Sequence, residues 1–142
     1  MAGTSYYAAN ALGEFLFRAQ ALATGSAGAG TGPTGYYVAL FTALASGPSG
    51  SVTEVSGNNY SRVLVTSGTD AWAAFANGSS SNAATITFPT PSGSWGSVTH
   101  FGLYLVSSGG SLIHFGSLLT PLTPLTGNTV EIGVGGITVN IG

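Results

Sequence analysis

The stretch "VTHFGLYLVSSGGSLIHFGSLL", residues 98–119, decides the fold class, because two runs of alternating, β-branched and aromatic residues flank Gly109-Gly110. Two glycines can both take positive φ, so the pattern reads as two antiparallel strands joined by a tight hairpin. With a two-residue turn there, paired residues have numbers summing to 219, and His114 faces Leu105. Alternation along Val98–Val106 then puts His100 with Val98 and Tyr104 on one face, and Phe101, Leu103 and Leu105 on the other. The two histidines of the chain therefore point to opposite sides of the sheet, an arrangement unsuited to a shared metal or a proton relay.

Working outward, the same grammar of short strands and small-residue breaks continues. "YYVALFTA" (36–43), "YSRVLVTS" (60–67), "AATITFP" (83–89), "TVEIG" (129–133) and "GITVNI" (136–141) read as strands separated by Gly, Ser, Asn and Pro clusters. The expectation is an all-β chain, an antiparallel β-sandwich or jelly-roll-like barrel, with one N-terminal helix. That helix has Asn10 as N-cap, and Leu12, Phe15, Leu16, Ala19, Leu22 and Ala23 on one face. Phe17, Tyr6 and Tyr7 lie off that face. Tyr6, Tyr7, Leu12, Phe15, Leu16 and Phe17 are accordingly the candidate partner interface. The expected organisation is an arm and helix at 1–24, a Gly-rich linker at 25–35 and a β-sandwich domain at 36–142.

Composition narrows the function. Of 142 residues only 4% are charged and lysine is absent, against roughly a quarter charged in ordinary soluble domains. Arg18 and Arg62 cannot neutralise a run of phosphates, so nucleic acid is not an expected partner. A net charge of −2 gives little self-repulsion, as suits a component covered by its neighbours. Without cysteine there is no disulfide framework and no thiolate site. The most apolar run, "YYVALFTALA" (36–45), is too short to span a bilayer, so no membrane is expected.

Chemical motifs are sparse. Gly30, Gly32 and Gly35 satisfy GxGxxG, but a helix precedes them and a strand follows, the reverse of a dinucleotide loop. Glu14, Glu54, Asp70 and Glu131 are scattered, no His-x-His spacing occurs, and no GxSxG surrounds a serine. The chain is expected not to be an enzyme and to carry no cofactor or metal. Asn59-Tyr60-Ser61 and Asn77-Gly78-Ser79 match a glycosylation acceptor pattern and read as loop composition. Trp72, Trp95 and Tyr104 are the candidate contacts for a glycan, since aromatic faces stack on sugars; their alternative is to fill the core.

The order "YYVALFTA", "TEVSGNNYSRV", "ITFPTPSGSWGSVTHFGLYLVSSGGSLIHFGSL" and "GNTVEIGVGGITVNIG" resembles a family of small tailed-bacteriophage virion proteins. They are often labelled tail-fibre proteins, and some look like head decoration or cement components. The resemblance covers about residues 36–142. It implies that Gly57, Asn58 and Asn59 form a turn leading Tyr60 into a strand, that Pro89 ends a strand, and that Trp95-Gly96 turns the chain. No catalytic residue comes with it. The implied function is capsid decoration: a homotrimer on the phage head surface, made in the host cytoplasm and bound over junctions of the major capsid protein. The alternative is a tail-fibre or tail-tip module binding a host surface glycan.

Overall fold

The computed structural model describes Phe17 and residues 33–44 and 51–141. Nine strands occur among them: β1 (Gly35–Leu44), β2 (Val52–Glu54), β3 (Val63–Thr66), β4 (Ser79–Ser81), β5 (Ile86–Thr87), β6 (Val98–Tyr104), β7 (His114–Leu122), β8 (Glu131–Ile132) and β9 (Thr138–Asn140). Every pairing is antiparallel. The protein is all-β, as its alternating runs require.

β1 is the centre of a five-stranded sheet, which explains why "YYVALF" is apolar on both faces rather than alternating. One edge of β1 pairs with β6, Val38 opposite Leu103 and Leu40 opposite Phe101. Its other edge is shared, β3 along Gly35–Val38 and β2 along Phe41–Leu44, with a bulge between Phe41 and Ala43. β7 follows β6 on the far side.

The opposing layer is built from two short ladders, β4 with β9 and β5 with β8. Its first hairpin turns at Asn77 and Gly78 (φ 54° and 77°), closed by reciprocal bonds between Ala76 and Ser79, the two-residue turn whose twist suits paired strands. Asn82 is buried at its end and fully used: Nδ2 donates to the carbonyls of Ala84 and Gly133, and Oδ1 accepts from Ile137 N–H. It fastens the strand leaving β4 to the turn before β9.

Between the layers lies the main core, where Val38, Leu40, Phe101 and Leu103 meet Ile86, Val130, Ile132, Ile137 and Val139. Burying each such side chain contributes about 1.5–3 kcal/mol. Ala39, Phe41 and Tyr104 form a second cluster on the outer face of the sheet, with Val52 and Leu112 packed against it. Gly102 is required there, because a Cβ would run into the Phe41 ring and a Leu112 methyl.

Three expectations change. β6 ends at Tyr104 rather than Val106, and the pairing puts His114 opposite Leu103, two residues from the expected register. The shift is even, so side-chain faces are kept: His114 is on the Phe101 side, 6.2 Å between ring centroids, and His100 is on the other. Gly109 and Gly110 do take positive φ (62° and 76°), but within a longer connection, residues 105–113, that leaves Leu105 half exposed. β2 and β4 were not expected. The N-terminal helix and most of the 25–35 linker fall outside the described residues, as do Tyr6, Tyr7, Leu12, Phe15 and Leu16 of the candidate interface.

Candidate functional site

The strongest polar constellation grows from "TEVSGNNYSR". Gly57, Asn58 and Asn59 all adopt positive φ (72°, 50° and 66°), a left-handed turn closed by Tyr60 N–H to Gly57 C=O. Such a run is tolerated where Gly and Asn occur, and here it is tied down from outside. The Asn58 and Asn59 amides donate to the Ser94 and Thr90 carbonyls, and Trp95 Nε1–H donates to Asn58 C=O at 2.9 Å. The turn brings Glu54, at the end of β2, back over Tyr60 and Arg62.

Glu54 and Arg62 form a two-pronged pair: Nε to Oε1 and Nη2 to Oε2, both 2.8 Å. Tyr60 Oη donates to Glu54 Oε1 at 2.8 Å and accepts from Leu40 N–H at 3.0 Å, which ties the pair to the central strand. The other end of Arg62 reaches a distant loop, Nη1 donating to the carbonyls of Val106 (3.1 Å) and Gly109 (2.9 Å). The guanidinium also lies on the Tyr104 ring, 3.6 Å from its centroid. Its bonds to Glu54 raise the Arg62 pKa further above its ordinary value. Burial pushes the Tyr60 and Tyr104 phenols up, and the nearby Glu54 carboxylate adds to both shifts. All three groups keep one protonation state through the physiological range.

Between the 55–61 turn and the loop tip this arrangement leaves a shallow cavity of about 350 Å³, lined by Glu54, Tyr60, Arg62 and four serines. Sequence reading used the motif as a turn signal and missed Glu54, Tyr60 and Arg62 as a group. The available signal was two opposite charges, eight positions apart in a nearly uncharged chain, on either side of Gly-Asn-Asn. Capture of the 106–109 carbonyls had no local signal.

The candidate glycan contacts are placed differently from an exposed platform. Trp72 is 0% exposed, Trp95 5% and Tyr104 5%. Trp72 packs in the main core, Trp95 is a strut beneath the Asn58 turn, and the Tyr104 ring is covered by Arg62. Phe17, expected in a partner interface, is also buried, 4.7 Å from Tyr36 in a stacked pair, with Trp72 and Phe75 around it. Its carbonyl accepts from Gly68 N–H. Phe17 is off the apolar helical face expected from the sequence because it plugs the domain's own aromatic box. Burial raises the Tyr36 phenol to about 12.

The exposed large apolar side chains are aliphatic apart from Phe115 on β7, which is 38% exposed. Leu119 on β7 (78% exposed) and Val134 (67%) line one groove, and Leu125 is exposed on the turn beyond Leu122. On the β3 side are Leu64 and, on the 105–113 loop, Leu105, Val106 and Ile113. Among the described residues no three His, Cys, Asp or Glu side chains come together as a metal site, and no helix is long and apolar enough to cross a membrane.

The family described as "Podophage GP4 fiber I protein gp80" matches residues 3–140. No curated protein matches the chain. The matched region takes in nearly the whole sequence, including the Glu54–Arg62 turn and the β6–β7 connection. The chain thus belongs to the podophage GP4 fibre I protein gp80 family, a family of small tailed-phage virion proteins.

Proposed function

We propose that the chain is a structural, non-enzymatic fibre component of the virion, held in its assembly by apolar contact. The observation that carries this is the exposed apolar groove at β7, lined by Leu119 and Val134 with Phe115 exposed on the same strand, while both tryptophans are buried. Exposed aliphatic groups at this level mark contact surfaces, whereas sugar platforms present aromatic faces. With 4% charged residues, area rather than charge has to supply the affinity. The description of the matched family favours a fibre over a head decoration.

Head decoration, as a trimer over the major capsid protein, uses the same apolar area and differs in location. Cryo-microscopy of the virion separates the two. Density for this fold in fibres attached at the tail is the expected result. Density repeated over the head at three-fold positions overturns the fibre reading and supports decoration.

A further inference from the structure

A larger cleft, about 480 Å³, opens between β3 and the 84–87 segment that carries β5. β3 pairs with β1 and β5 with β8, and among the described residues no backbone bond joins β3 to β5. One edge of each strand, with its N–H and C=O groups, is thus left unpaired beside the opening. Open edges of this kind accept an added strand. The side chains suit one too. Val63 and Val65, both partly buried, and Ile86, 4% exposed, make an apolar floor, while Thr66, Thr85 and Thr87 stand exposed at the rim.

Charge decides what kind of strand fits. Among the described residues Asp70 is the one charged member of the lining; it is exposed and has no ion-pair partner. The other described carboxylate without one, Glu131, stands on β8 directly across from Thr87 of the lining. Glu54 is cancelled by Arg62, and Glu14 is matched in number by Arg18, so the net charge of −2 falls on Asp70 and Glu131. Both uncompensated charges therefore border one apolar opening.

The missing cation does not come from the β-domain itself or from that of a second copy. The chain has no lysine, and Arg62 is committed to Glu54 and two loop carbonyls. We propose that the cleft takes an extended strand from a different polypeptide, one in which a lysine or arginine alternates with apolar residues. The strand adds to β3, its apolar side chains cover Val63, Val65 and Ile86, and its cation meets Asp70. This site is separate from the β7 groove and does not depend on the fibre reading.

The probe is a capped peptide, Thr-Val-Lys-Val-Thr, whose β-branched residues favour the extended form. It is titrated into the isotope-labelled full chain and followed by amide shifts. Shifts concentrated at residues 63–71 and 84–87 are expected, with a dissociation constant of about 0.1–1 mM. With Gln in place of Lys the peptide should bind about fourfold more weakly, the effect of one exposed ion pair, and with Glu more weakly again. D70N, altered at an exposed position, should bind the Lys and Gln peptides equally. Salt at about 0.5 M should remove the preference in the parent chain. Absent or scattered shifts, equal binding of the three peptides, or an undiminished lysine preference in D70N would overturn the proposal. Tighter binding by R18Q would overturn it as well, by assigning Asp70 to the chain's own arginine.

Discussion

Arg62 and Tyr104 are stacked, guanidinium on phenol at 3.6 Å, and the same guanidinium is forked onto Glu54. One side chain thus joins β2, β6 and the 105–113 loop. Replacing it by Met keeps the aliphatic stem but strands a quarter-exposed carboxylate and two loop carbonyls. R62M should lower the unfolding free energy by about 2 kcal/mol, read as a shift in urea midpoint. R62K, which keeps the charge without the fork, should lie between. Hydrogen exchange at Ser107–Gly110 should accelerate in both variants.

Phe17 sits among Tyr36, Trp72 and Phe75, so F17A opens a cavity in the domain's own core. A loss of about 3 kcal/mol is expected, measured by denaturation of the isolated chain. An unchanged melt would return Phe17 to the role of a partner contact.

Gly78 has φ 77° in the hairpin that starts the second layer. G78A should cost about 1 kcal/mol, because a Cβ strains this left-handed position, while N77G should be nearly neutral. Comparing the two by thermal melting separates the turn requirement from general surface tolerance.

Burial holds the His114 imidazole below its ordinary value of 6.5, so the folded state resists protonation while the unfolded chain accepts it. The unfolded state then binds more protons as pH falls below about 6.5, and stability declines in that direction. H114F should flatten the slope of stability between about pH 6.5 and 5. A slope identical to that of the parent protein would assign the acid sensitivity elsewhere.

L119S/V134S changes two exposed side chains and should leave the melting of the isolated chain within about 0.5 kcal/mol of the parent. Incorporation into virions, read by quantitative blotting of purified particles, should fall sharply. Retention of the parent on purified particles should strengthen in sulfate, the salt response of apolar contact rather than of ion pairs.

How much of this was legible in the sequence depends on the range of the interaction. β1, β6 and β7 were readable because each carries its own local pattern, and the faces of His100 and His114 survived a register error because that error was even. Asn77-Gly78 was the stronger hairpin signal of the two, yet it read as loop composition, since the flanking "AAFA" and "SSS" hardly alternate. Gly109-Gly110 misled in the opposite way: both residues adopt the expected φ, but Arg62, more than forty positions earlier, holds the Val106 and Gly109 carbonyls, and Ile113 N–H bonds back to Leu103, so the strands are joined by a wider loop. The burial of Trp72 and Trp95 was undecidable locally, because an aromatic ring suits a core and a sugar equally well. Phe17 fell off the helical face predicted from the sequence, and only the packed domain shows what it contacts: Tyr36, Trp72 and Phe75.

The sequestration of Arg62 bears on how such a particle survives outside a cell. With no lysine, the sequence offers trypsin-like proteases two bonds, those after Arg18 and Arg62. The second arginine is 6% exposed, with its guanidinium held by a carboxylate and two carbonyls. A digestive enzyme must capture that group in its own pocket before it can cut, so the folded β-domain is closed to this class of attack at the bond its sequence exposes. The ion pair that shapes the loop also acts as armour.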